Sequence, residues 1–170
     1  MVSDRTKLIE EQIPRMRRYA RALTRDPVAA DDLVQDALER AWSRLHLWRS
    51  GSNMRAWLFT ILHNIHANQV RAASIRPQLT ALADWETSGG QAPSQEDRLM
   101  VRSLAQSIDL LPEEQRVVLL LVGLEELTYE ETSKVLDVPI GTVMSRLSRA
   151  REKLRRLMAG TEAPIGAQKS

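Results

Sequence analysis

Cysteine is absent from the 170 residues. That excludes disulfides, thiolate zinc sites and cysteine nucleophiles together, and it is compatible with a reducing compartment. Glycine and proline are scarce, with 7 of each, and no Val/Ile/Thr-rich alternating run is present. The chain therefore reads as all-helical, with no sheet expected. The longest apolar run, Val117 to Val122, falls far short of the ~20 residues that a membrane-spanning helix needs. Met1 to Glu11 is polar and charged, unlike a secretory signal. The expectation is a soluble, cytoplasmic protein. No Gly-rich phosphate loop and no serine–histidine–acid pattern occurs. His63 and His66 share a helix face, but the stretch from Gly51 to Ala83 is poor in Asp and Glu and offers no third ligand. Neither an enzyme nor a metal or other cofactor is expected.

What is present is a folded-protein composition, 43% hydrophobic and 27% charged, with a net charge of only +2. The charges are unevenly placed. Arg15, Arg17, Arg18, Arg21 and Arg25 crowd one end, and Arg146 to Arg156 the other; acidic stretches at Asp31 to Glu39 and Glu125 to Glu131 lie between. Patches of opposite sign imply partners of opposite sign.

Helical periodicity divides the chain. A first helix is expected from about Thr6 to Leu23, kinked by Pro14. Asp26-Pro27 restarts the chain as N-cap and first helical residue. The second helix runs to about Trp48, with Val34, Leu38, Ala41 and Leu45 inward and Asp32, Gln35, Asp36 and Glu39 on another face. After the polar loop Arg49 to Asn53, a third helix reaches about Ala73, with Trp57, Ile61, Ile65 and then Asn68 or Gln69 at helical spacing. Trp42, Trp57 and Phe59 are expected to help fill one core. Residues 1–75 form one helical domain. Residues 76–93, punctuated by Arg76-Pro77, Gly89-Gly90 and Ala92-Pro93, form a flexible linker. Residues 94–159 form a second helical domain, and 160–170 a frayed tail. Ser94 with Asp97, and more strongly Thr128 with Glu131, have capping-box spacing.

The segment from Thr128 to Arg151 has the layout of a DNA-reading helix-turn-helix: a capped helix, a tight turn at Asp137 to Gly141, then a basic helix. Val143, Leu147, Ala150 and Leu154 form the apolar stripe of that last helix. Thr142, Ser145, Arg146, Arg149 and Lys153 fall on another face. Thr142 and Ser145 suit phosphates near a helix N-terminus, and Arg146 and Arg149 reach phosphates or a guanine edge.

Leu111-Pro-Glu-Glu-Gln-Arg116, Leu127-Thr-Tyr-Glu-Glu131, Gly141-Thr-Val-Met-Ser-Arg146 and Arg149-Ala-Arg151 resemble the C-terminal domain of extracytoplasmic-function sigma factors of bacteria. Ala30-Asp-Asp-Leu-Val-Gln-Asp36, Arg40-Ala-Trp42 and Trp57-Leu-Phe-Thr-Ile-Leu-His-Asn64 resemble their N-terminal domain. The resemblance runs from about Ile13 to Met158.

The resemblance implies a transcription-initiation factor that is monomeric when free, with RNA polymerase core, promoter DNA and an anti-sigma factor as partners. Asp32, Gln35 and Asp36 would dock on the polymerase clamp helices, and the helices before the helix-turn-helix on the flap. Around the loop after the second helix, Trp48, Ser50, Ser52, Asn53 and Asn64 would capture an unstacked −10 base, while Arg55 and Arg71 hold the displaced strand. Thr142, Met144, Ser145, Arg146, Arg149 and Lys153 would read the −35 element. Met144 stands where the family commonly has a basic residue, which leaves the −35 sequence open.

The linker would have to be drawn out along the polymerase. About twenty residues can stretch to ~65–70 Å but average only ~25 Å as a free coil, against a ~70 Å separation of the two DNA elements. The resemblance also sends this segment toward the active-site channel, with Asp84 and Glu86 on the way. Two other readings stay open: a helix-turn-helix repressor, which would dimerise on a palindrome, and a sigma-like decoy that binds an anti-sigma factor.

Overall fold

The computed structural model describes residues 2–73, 92 and 94–160. The expected linker apart from Ala92, and all but the first residue of the expected tail, lie outside the described residues, as do Asp84 and Glu86. Among the described residues every regular element is helical.

The chain begins with two helices rather than one kinked helix. α1 spans Val2–Glu10 and α2 spans Ile13–Thr24. Pro14 lies in the first turn of α2, where its missing N–H costs nothing, so it starts a helix instead of bending one. α3 spans Pro27–Ser43, and the Asp26 carboxylate accepts from the Val28 and Ala29 N–H groups, as the Asp-Pro signal predicts. α3 ends before Trp48, in a 3₁₀ turn at Leu45–Leu47. α4 spans Met54–Ala73, and Asn53 Oδ1 accepts from Ala56 N–H at its start.

In the second half α5 spans Gln95–Asp109 and α6 spans Glu113–Leu119, continuing as a π-turn over Leu120–Leu124. α7 spans Tyr129–Leu136 and α8 spans Ile140–Met158. Both capping boxes are formed, Ser94 with Asp97 and Thr128 with Glu131. Asp137 closes α7 at φ 53°, and the Ser133 hydroxyl donates to Val138 O across the turn. The turn leaves α8 starting at Ile140.

Packing departs from expectation in one respect that matters. Met16, Tyr19, Leu33, Leu58, Phe59 and Leu62 are fully buried, and the same core continues into Val117, Leu120, Leu121, Leu127 and Val135 of the second half. The two domains lie closed on one another rather than drawn apart, with α4 against α7 and α2 against the π-turn. A smaller cluster of Val118, Val143 and Leu147 fixes the helix-turn-helix. Phe59 and Trp57 belong to the main core, but Trp42 is 45% exposed. It lies on the outward side of α3, so its expected core role is corrected. Asn68 and Gln69 are exposed as well, and the inward stripe of α4 ends at Ile65 and His66.

Candidate nucleic-acid interface

The polar face of α3 is where the periodicity puts it. Ala30, Leu33, Val34, Ala37 and Ala41 are buried, which turns Asp32, Gln35, Asp36 and Glu39 to solvent. Gln35 Nε2 donates to Glu39 Oε1 at 3.4 Å, and no ion pair engages Asp32 or Asp36 among the described residues. Val28, 70% exposed, and Trp42 flank these carboxylates on the same arc. Sequence reasoning missed this apolar frame because an isolated Trp on a helix reads as core.

The residues expected around the −10 loop are divided. Ser50, Ser52 and Asn53 are exposed; Gly51 at φ +87° makes the turn, and the Ser52 hydroxyl donates to Arg49 O at 2.7 Å. Asn64 and Arg71 are exposed on the outward side of α4. Arg55 is nine residues before Asn64, about half a helical circumference away, and faces the second domain. Its Nη1 donates to Glu125 O at 3.3 Å and its Nη2 pairs with Glu131 Oε2 at 3.5 Å. Asn53 Nδ2 donates to Glu131 Oε1 at 2.8 Å. Trp48 is 5% exposed with Arg5 above its ring, the guanidinium 5.7 Å from the ring centroid. In this conformation Trp48 is core, not the wall of an open base pocket, and that expectation is corrected.

On α8, Thr142, Ser145, Arg146, Arg149 and Lys153 share an arc beside the buried stripe of Val143, Leu147 and Ala150. Met144 is about 200° round the helix from Thr142 and 52% exposed, so it stands apart from that set. Ser145 and Arg149 are exposed. Arg146 is turned toward α6, where Nη2 lies 3.7 Å from Glu114 Oε1. Residues before Ile140 leave the first amides of α8 without a side-chain cap, and these donors and the helix dipole favour an anion there.

Between these surfaces runs the seam of the two domains. Arg18 Nε and Nη2 donate to the Glu125 carboxylate at 3.0 and 3.2 Å, and Nη2 also to Leu124 O at 3.3 Å. Arg25 pairs with Asp109 at 3.5 Å. His66 Nε2 lies 2.9 Å from Glu113 Oε1, and Glu113 also pairs with Arg116. A cavity of ≈ 260 Å³ opens along the seam, lined by His63, His66, Val70, Glu113, Leu136 and Arg146. Burial pushes the carboxyls of Glu125 and Asp109 above their ordinary range, with Arg18 and Arg25 respectively opposing it. Burial would also raise Glu113, but its hydrogen bonds and charges from His66 and Arg116 hold it below that range. Burial, assisted by His66, takes His63 down to about 4. No cluster of three or more His, Asp or Glu able to hold a metal ion occurs among the described residues. None of their helices is long and apolar enough to cross a membrane.

Residues 9–63 match the family model of the Sigma2 domain of PhyR, and residues 102–154 match Sigma-70, region 4. The ECF RNA polymerase sigma factor EcfG of Rhodopseudomonas palustris is 35% identical over 86% of this chain and 80% of its own length. The chain belongs to the ECF RNA polymerase sigma factors. The ECF RNA polymerase sigma-E factor of Escherichia coli K12 is 34% identical over 72% of this chain and 70% of its own.

Among solved structures, the sigma factor RpoE of Bartonella quintana, in complex with the anti-sigma factor NepR, superposes with a TM-score of 0.77 at 30% identity. That match covers 94% of this chain and 99% of the other. The PhyR–NepR complex of Sphingomonas shares the fold, with a TM-score of 0.66 at 19% identity over 96% of each chain. As an ECF sigma factor the chain directs transcription initiation. Its two helical domains correspond to the two family models, the second carrying the helix-turn-helix.

Proposed function

We propose that this sigma factor acts in the cytoplasm as a non-covalent adaptor and catalyses no reaction of its own. It binds the RNA polymerase core through Asp32, Gln35 and Asp36 on the clamp helices, with α5 and α6 on the flap. It captures a −10 base with Ser50, Ser52, Asn53 and Asn64, holds strand phosphates with Arg55 and Arg71, and reads the −35 element with Thr142, Ser145, Arg146, Arg149 and Lys153. Met144 adds a van der Waals contact at most, and Trp48 serves the −10 pocket only from beneath, as support. Free of its partners the chain is monomeric, and an anti-sigma factor, as NepR is for the Bartonella protein, keeps it from polymerase.

The observation that carries this reading is the carboxylate face of α3, where no ion pair engages Asp32 or Asp36 among the described residues, framed by exposed Val28 and Trp42. A solvated helix face needs no apolar frame, whereas a docking face does, since charge there steers encounter and apolar anchors supply affinity. A repressor that used only α7 and α8 would have no use for it.

The test is run-off transcription on a library of promoter fragments with bacterial core polymerase, comparing the native chain with an Asp32→Ala/Asp36→Ala variant. Specific initiation that depends on the two carboxylates is the expected result. Initiation undiminished in that variant would remove the docking assignment, and absence of initiation by either protein would remove the adaptor reading.

A further inference from the structure

Arg5 lies before residue 9, where the match to the Sigma2 model begins, yet it reaches the base of the −10 loop. It stands four residues ahead of Ile9 on α1, so the two side chains share a face of that helix. Ile9 is 1% exposed and belongs to the main core. Its burial seats α1, and Arg5 is laid over the 3₁₀ turn Leu45–Leu47. There the guanidinium stands 5.7 Å from the centroid of the Trp48 ring, and Nη1 donates to Leu45 O at 3.4 Å.

Leu45 O accepts a second bond, from the Trp48 N–H at 3.2 Å. One carbonyl therefore joins α1 to the backbone at the entrance of the loop. The loop itself, Arg49 to Asn53, is exposed throughout and lies between two buried side chains, Trp48 and Met54. Within it Arg49 O accepts from both the N–H and the hydroxyl of Ser52, at 3.1 and 2.7 Å. At its exit Asn53 Oδ1 caps α4. The entrance lacks a comparable side-chain lock, because Trp48 Nε1 has no hydrogen-bond partner among the described residues. Packing and the Arg5 cation are what hold that ring, and indole is the aromatic face that attracts a cation most strongly.

We propose that Arg5 is a positioning residue for −10 recognition: through Trp48 and Leu45 O it sets the loop that presents Ser50, Ser52 and Asn53 to an unstacked base. The inference rests on the −10 assignment of those three residues for its purpose, and on the contacts of Arg5 for its mechanism. A loop fixed at both ends loses less conformational freedom on capturing a base than one with a loose entrance. Selectivity suffers first when the entrance loosens. Contacts to a base edge specify sequence and need a held geometry, whereas attraction to phosphates carries no sequence information.

Three variants test this. Arg5→Ala removes the contact, and Arg5→Lys keeps a cation for the ring. Lys7→Ala takes one positive charge from an exposed position of the same helix. Amide hydrogen exchange in the free chain reads the loop through the Trp48 and Ser52 N–H groups. Selection by the holoenzyme from a randomised single-stranded DNA library reads base recognition, as the enrichment of the preferred sequence over the pool. Enrichment is a ratio, so a variant that merely unfolded in part would lose all sequences together and leave it unchanged. Core polymerase binding is measured for each variant alongside.

Arg5→Ala is expected to speed exchange at Trp48 and Ser52 about fivefold and to lower enrichment by a similar factor, the size of one half-buried cation–π contact. Polymerase binding should stay intact. Arg5→Lys should recover part of both effects, and Lys7→Ala should match the native chain. Unchanged exchange in Arg5→Ala, or an equal loss of enrichment in Lys7→Ala, would overturn the proposal. So would faster exchange with undiminished enrichment, and a rise in enrichment would mean instead that Arg5 holds Trp48 back from DNA. A native holoenzyme that selects no sequence would overturn the −10 assignment and the purpose given to Arg5, while the exchange result would still decide whether Arg5 sets the loop.

Discussion

Arg18 on α2 grips Glu125, 107 residues further along the chain, with two hydrogen bonds at 3.0 and 3.2 Å, and Glu125 is fully buried while Arg18 is one-third exposed. An isolated buried carboxylate is costly, and its partner offsets that cost only while the geometry holds. The pair joins the first domain to the π-turn, so its loss should be felt as weakened closure as much as lowered stability.

Arg18→Ala is therefore expected to lower unfolding free energy by about 2–3 kcal/mol, discounted from a fully buried pair because Arg18 is partly solvated. Glu125→Gln should cost less, about 1 kcal/mol, since an amide oxygen still accepts from Arg18. The pH dependence has a definite sign. Burial already raises the Glu125 carboxyl against the pull of Arg18, and removing Arg18 raises it further. The folded state then takes up a proton that the unfolded state does not, so the deficit of Arg18→Ala should be largest near pH 8 and shrink toward pH 5. Urea melts at the two pH values measure it. A deficit that grew on acidification would contradict this account.

His63 makes the opposite demand. Its folded value of about 4, set by burial and then by His66, lies below its ordinary 6.5. Stability from the neutral ring is full above pH 6.5 and is lost as pH falls from there to about 4, by about 3 kcal/mol at most. Glu113 acts at lower pH, since its depressed carboxyl contributes above its ordinary 4.5 and is lost below that. His63→Gln should flatten the stability profile between pH 6.5 and 4 while leaving the region below it unchanged. An unaltered slope in that interval would show that His63 is not its source.

Much of this architecture was legible because local chemistry writes it. Asp26-Pro27 and the two capping boxes mark helix starts through groups only a few residues apart, and the structure forms all three. The exposed acidic arc of α3 and the buried stripe of α8 follow from the helical period alone. What escaped was long-range. The arginines of α2 and the acids after α6 were read as separate patches awaiting external partners, yet Arg18 and Glu125 are partners of one another. No local rule announces a π-turn at Leu120–Leu124. Nor does periodicity distinguish a Trp that packs inward, as Trp48 does, from one that frames a surface, as Trp42 does.

Tyr19 offers a test of packing at the centre of this shared core. Its ring meets Phe59 edge-on at a centroid distance of 5.2 Å, and its hydroxyl is buried with no hydrogen-bond partner among the described residues. Burial first, then Glu113 and Glu125, keeps that hydroxyl protonated far above its ordinary range. A buried, unpaired hydroxyl costs about 1–3 kcal/mol. Tyr19→Phe is thus expected to stabilise the chain by about 1 kcal/mol, read as a higher urea midpoint at unchanged slope. A loss of stability would mean that the hydroxyl is satisfied after all.

Arg146 and Arg149 face the same promoter element in our assignment, but they are not equally free. Arg146 leans on Glu114 across the domain, 3.7 Å away, whereas Arg149 is exposed and carries no ion pair among the described residues. Moving Arg146 to DNA means giving up a partner, so the net gain it brings is smaller. Arg149→Ala should therefore weaken −35-dependent transcription about tenfold, and Arg146→Ala by less, with polymerase binding intact in both. An arginine that neutralises one phosphate also accounts for about 0.9 of the salt slope of promoter binding, which falls by that much on its removal. Salt titrations of promoter binding by the holoenzyme would separate a phosphate role from a base-reading role at Arg149. Loss of polymerase binding in Arg149→Ala would sink the division of labour between α3 and α8, because nothing else ties that side chain to the docking face.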